Sequence, residues 1–256
     1  MSRQSKLLKG ALTVFAVSAL IALAGYFFFK KEGPADEFHI AVSIPPYYVH
    51  TEHRAEIGEY SEGLSAMDRN VLLKTVEKMD KDWRNLPASA MYVAALRLFE
   101  IGERDRALYW YQGARYRADL MLELLDSSSG MNRMGSEAYT LSRAHTAFFT
   151  ALRPHSGGHG LCDIRKYEEA IQRAVLQKDT LPNMSEIYPE VAFLPEEQWQ
   201  SEAEKVKARF EARLKNTVDN YDRIVGHRKA SGVHERYCEK DSLTTEDDRQ
   251  GSAEVQ

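Results

Sequence analysis

Apolar residues are distributed along this chain in two ways. Residues 11–29 form 19 consecutive positions without a charge, dominated by Ala, Leu, Val, Ile and Phe. At 1.5 Å per residue a helix of that length reaches roughly 28 Å, about one hydrocarbon thickness. From Leu64 onward, apolar residues instead recur at helical spacing. Met67, Val71, Leu72, Val76 and Met79 share one face. Pro87 opens a second stripe through Met91, Ala94, Ala95, Leu98 and Phe99 that stops at Gly102, the residue type expected just past a helix end. Further helices are predicted over residues 104–125, 136–152 and 165–177. A last, long helix from Pro195 carries Trp199, Ala203, Val206, Phe210, Leu214, Val218, Tyr221 and Ile224 at steps of three and four. The link at Gly102 is so short that the helices flanking it must pack as an antiparallel hairpin.

The intervening stretches are polar or broken. Residues 30–60, with Gly33, Pro34, Pro45 and Pro46, are read as an extended stalk with a short strand over residues 39–44, since adjacent prolines exclude a helix. Residues 233–256 are read as a flexible tail. The expected layout is a short cytoplasmic N-terminus (residues 1–10), a transmembrane signal anchor (11–29), the stalk, a helical globular domain (61–232) and the tail. Ala22-Leu23-Ala24 also makes an A-x-A signal-peptidase site, so cleavage after Ala24 is the alternative. Either arrangement puts the domain outside the cytoplasm, in a periplasm or a lumen.

Charge narrows the partners. With 34 basic against 38 acidic residues, the chain lacks the clustered Lys and Arg that phosphate neutralisation needs, so nucleic acid is not an expected ligand. The two cysteines, Cys162 and Cys238, either pair across a long loop, contributing roughly 3 to 5 kcal/mol, or stand as separate thiols.

Three groups of residues carry candidate chemistry. Tyr109, Trp110 and Tyr111 are consecutive on a helix, about 100° apart, and cannot all enter one core stripe. With Tyr116, Arg115 and Arg117 they supply the residue types favoured at interface hot spots, so Tyr109, Trp110, Tyr116, Arg115 and Arg117 are the candidate partner-binding residues. His155, His159 and Cys162 lie in a Gly-rich loop and are of types that ligate zinc; loop glycines at 157 and 158 argue against a preorganised metal site. No G-x-S-x-G, H-E-x-x-H or P-loop pattern occurs, so the chain is read as a non-enzyme without a cofactor.

Residues 96–114, Leu-Arg-Leu-Phe-Glu-Ile-Gly-Glu-Arg-Asp-Arg-Ala-Leu-Tyr-Trp-Tyr-Gln-Gly-Ala, resemble the centre of a tetratricopeptide or Sel1-like repeat. In that resemblance Gly102 makes the turn, Ala107 the close crossing, and Tyr111 and Ala114 the inner stripe. Tyr167 to Ile171 is a weaker echo. The resemblance covers one unit and implies peptide or protein binding. The expected fold is therefore all-α, a bundle or short TPR-like array of five or six helices behind one transmembrane helix. The expected function is a membrane-anchored extracytoplasmic protein-binding module, in a narrower form an immunity protein that neutralises a toxin. The alternatives are a scaffold self-associating as a homo-oligomer through the long C-terminal helix, and a metal-dependent enzyme built on His155, His159 and Cys162.

Overall fold

The computed structural model describes residues 57–238. The proposed membrane segment at 11–29, the strand at 39–44 and the polar residues after Cys238 lie outside them. Among the described residues the architecture is all-helical: α1 (Ser61–Ser65), α2 (Arg69–Lys81), α3 (Ala88–Glu100), α4 (Arg104–Glu123), α5 (Glu137–Leu152), α6 (Gly158–Gly160), α7 (Ile164–Ile171), α8 (Met184–Ile187), α9 (Glu196–Asp219), α10 (Tyr221–Ala230) and α11 (Val233–Cys238). None is long and apolar enough to cross a membrane. The only pairing of extended backbone among them is an isolated bridge between Leu125 and Phe193.

Local chemistry sets the helix starts. Asp68 caps α2 by accepting from the Asn70 and Val71 N–H groups, at 2.7 and 3.0 Å, and Ser136 and Asp163 cap α5 and α7 in the same way. The α3/α4 hairpin turns at Gly102, whose φ of +81° is a conformation that glycine adopts without a side-chain penalty.

Helix α4 is the axis of the domain. Twelve of its 20 residues are buried, which explains why its sequence shows no single apolar stripe. Its first half packs with α1, α2, α3 and the end of α5 in one core. Its second half packs with α7, the loop after α8, and α9 in another. Helix α9 lays Trp199, Val206, Phe210 and Leu214 into this second core, so the residues that self-association would have used are taken up inside the domain.

Three sequence expectations are corrected here. Tyr60, assigned to the stalk, is buried, and its hydroxyl donates to Asp82 Oδ2 at 2.6 Å. The Gly-rich segment is not a loop: one π-helical turn, Arg153–Gly157, runs straight from α5 into α6. Its glycines serve close approach rather than mobility. A Cβ on Gly158 would stand 3.2 Å from the Tyr237 ring. Residues 233–238, assigned to the tail, form α11, and a disulfide between Cys162 and Cys238 ties this helix to the segment after α6.

Candidate functional site

The three aromatic residues at the start of α4 take three directions, as a 100° step requires. Trp110 enters the core beside Trp83, ring centroids 5.8 Å apart. Tyr109 faces a groove of about 530 Å³ between α2, α4 and α7, and Tyr111 faces a cleft of about 950 Å³ on another side.

Several of the groove's charged residues are paired within it. Tyr109 donates to Asp80 at 2.9 Å, Lys166 reaches Asp105 at 2.7 Å, His159 Nε2 lies 3.0 Å from the same Asp105 carboxylate, and Arg173 pairs with Glu169 at 3.3 Å. Burial alone would raise the Asp105 pKa, but the hydrogen bonds and charges of Lys166 and His159 outweigh it, and the value falls below the ordinary one.

The cleft is different. Arg115 of α4, Arg153 after α5, Arg228 of α10 and Arg236 of α11 all line it, and no carboxylate of the described residues does. Glu235, although on α11, is not among the lining residues. None of the four arginines forms an ion pair among the described residues. Each inner one is nevertheless fixed. The Arg115 guanidinium lies over Tyr111, Phe149 and Phe210, 5.1 to 5.6 Å from the ring centroids, and donates to Gln112 Oε1 at 3.1 Å. Arg228 donates to the Gly158 carbonyl at 2.8 Å. Its Nε is shielded from solvent without an acceptor, and burial lowers its pKa. Gln112 is fully buried, and its Nε2 also has no acceptor. Burial raises the Tyr111 hydroxyl to about 12, which keeps it a protonated donor. Among the described residues the cleft thus offers guanidinium donors and aromatic faces and no negative charge, a composition suited to an anionic, acceptor-rich ligand.

Of the candidate partner-binding residues, Arg115 alone lines this cleft. Trp110, Tyr116 and Arg117 are buried at 2%, 3% and 1% exposure and present no surface. Tyr116 packs edge-on against Phe210. Arg117 donates to three backbone carbonyls: Trp83 at 2.6 Å, Leu86 at 2.9 Å and Arg84 at 3.2 Å. It is a structural residue, misread because Arg on a helix usually faces water.

The candidate metal ligands do not converge. Cys162 is committed to the disulfide, His159 to Asp105, and His155 packs between Phe99 and Tyr237 at 5.6 and 5.9 Å. Among the described residues, no cluster of three or more His, Cys, Asp or Glu side chains is arranged to hold a metal. Sequence reasoning missed Gln112, Arg153, Arg228, Arg236 and Tyr237. The available signal was the cysteine pair, since joining Cys162 to Cys238 brings α11 against the Gly158 segment. Compared with protein-family models, with curated proteins and with solved structures, the chain matches none.

Proposed function

We propose that this chain is a membrane-anchored binding module whose domain works outside the cytoplasm and holds a protein partner in the arginine-lined cleft. The observation that carries the proposal is the cleft itself: four guanidinium groups that form no ion pair among the described residues, set in an apolar and aromatic wall. The anchor rests on residues 11–29. The compartment rests on the same run and on the Cys162–Cys238 disulfide, a bond that persists where thiols are not kept reduced. An immunity protein, binding a toxin before it reaches its target, is a narrower form of the same reading.

Full-length protein solubilised in detergent, in parent form and as an Arg228→Glu, Arg236→Glu double variant, provides the test. Thiol trapping of the parent in intact cells should find both cysteines paired. The parent should capture a defined partner that the variant, its helical circular dichroism retained, loses. Free thiols in the cell, or identical capture by parent and variant, would sink the proposal.

A further inference from the structure

We infer that the ligand of this cleft is a peptide segment of the partner that carries at least two carboxylates separated by an apolar residue. The inference rests on the binding reading above and names the chemistry recognised.

The make-up of the cleft points to a carboxylate-bearing peptide rather than a phosphate group. The charges come from four separate elements, with Arg115 and Arg228 half-buried and Arg153 and Arg236 exposed at the rim. Such spread favours several single negative charges over one concentrated polyanion. All four are arginines, whose planar fork takes carboxylate and phosphate oxygens alike through two parallel N–H bonds, so the choice between them rests on the other features. Between them the wall is apolar and aromatic, through Phe149, Leu161, Ile224, Val233 and Tyr237, and can seat side chains that alternate with the acids. The volume of about 950 Å³ far exceeds what an isolated phosphate fills. The donors are side chains rather than the run of consecutive backbone N–H groups that cradles phosphates.

The complementarity also accounts for the bracing of the inner arginines. Arg115 is pinned by three rings and Gln112, and Arg228 by the Gly158 carbonyl. Held in this way, they lose little side-chain freedom on binding. Arg153 lies over Phe149 at 5.9 Å. Arg236 is carried by α11, which buries none of its own residues and is fixed by the disulfide and by Tyr237.

The probe is a short fluorescein-labelled peptide of alternating Glu and Leu, titrated by anisotropy against the oxidised full-length chain in detergent. A Gln and Leu peptide serves as control, and inorganic phosphate and pyrophosphate as competitors. The expected result is saturable binding of the Glu peptide and at least tenfold weaker binding of the control. Arg228→Gln should weaken binding at least tenfold and Arg236→Glu severalfold. Arg236 is exposed and forms no ion pair among the described residues, so that variant reads the site without threatening the fold. Displacement by phosphate at concentrations where chloride of equal ionic strength has no effect would overturn the peptide assignment and leave an anion-binding module. Absence of Glu-peptide binding, with partner capture still sensitive to Arg228 and Arg236, would overturn the ligand class alone. Failure of both experiments would remove the binding function with it.

Discussion

Arg115 and Arg117 stand two residues apart on α4, and their surroundings are opposite. Arg117 is buried, lies 5.8 Å from the Trp83 ring centroid, and gives its hydrogen bonds to three carbonyls of the segment that joins α2 to α3. Burial pushes its pKa down to about 10, so it stays charged at neutral pH with carbonyl dipoles in place of a counter-ion. Arg115 borders the cleft and has one protein acceptor, the Gln112 side chain. A guanidinium whose acceptors come from the fold itself is part of the fold. One whose surroundings are rings and other cations remains able to take a ligand. Residue type does not separate the two cases, but the supply of acceptors does.

Breaking the structural half of this comparison should have the largest effect. Arg117→Leu leaves three buried carbonyls without a donor, and the expected loss is about 3 to 5 kcal/mol. Chemical denaturation of the chain should show it as a lower midpoint with an unchanged slope. A loss below about 1 kcal/mol would mean that water or Lys178, whose ammonium lies 4.1 Å from the Trp83 ring centroid, takes over the carbonyls.

The disulfide comes next. Cys162 and Cys238 are 76 residues apart, and closing so long a loop restricts the unfolded chain, so the Cys162→Ser, Cys238→Ser variant should lose about 2 to 4 kcal/mol. The local consequence sharpens the comparison further. Helix α11 buries no residue, so freeing it should increase hydrogen exchange at residues 233–238 far more than in α4. Equal protection of α11 with and without the bond would show that Tyr237 packing on Gly158 holds the cleft wall unaided.

Much of the fold was legible because its helices obey simple rules. The stripe from Met91 to Phe99 and the turn at Gly102 each have a local cause, and each corresponds to an observed boundary within a few residues. Helix α4 was harder. A helix buried on several sides carries no polar face to orient it, so Trp110 and Tyr116 read as surface anchors when both are core. The Gly-rich segment misled for another reason. Glycine is read as freedom of the backbone, but at Gly158 it provides the gap into which Tyr237 packs. The cleft was the least legible part, because its arginines come from four elements that only tertiary structure brings together. Arg228 and Arg236 stand over a hundred positions from Arg115, and nothing local links them.

Acid should expose a third class of charged site, the paired carboxylate. Asp119 on α4 lies 3.5 Å from His145 and 3.2 Å from Arg213. Burial alone would raise its pKa, but these two partners lower it below 3.8. Because the folded value is depressed, the unfolded state binds the proton more readily. The contribution to stability is therefore complete above the unfolded value and is lost as pH falls through the folded one. Thermal melts between neutral pH and pH 3 should show a falling midpoint whose acid limb flattens in Asp119→Asn. An unchanged limb would assign the acid sensitivity to Asp105 or to the exposed pairs.

The smallest effect should come from the cleft itself. Arg236 is exposed, carries no ion pair among the described residues and shares the cleft with three other cations. Removing its charge takes away repulsion and no contact that the fold needs, so Arg236→Gln should change stability by no more than about 0.5 kcal/mol, in the stabilising direction. The gain should shrink as salt is added, because exposed charges are screened within roughly 10 Å at 0.1 M. Denaturation curves of parent and variant at low and high salt would measure both quantities. A clear destabilisation would show that Arg236 belongs with Arg117 as a structural residue, and the cleft would then lose one of the charges on which the proposed binding rests. A small, salt-sensitive gain would instead leave Arg236 as charge that the unliganded fold does not use, available to a ligand that supplies the missing acceptors.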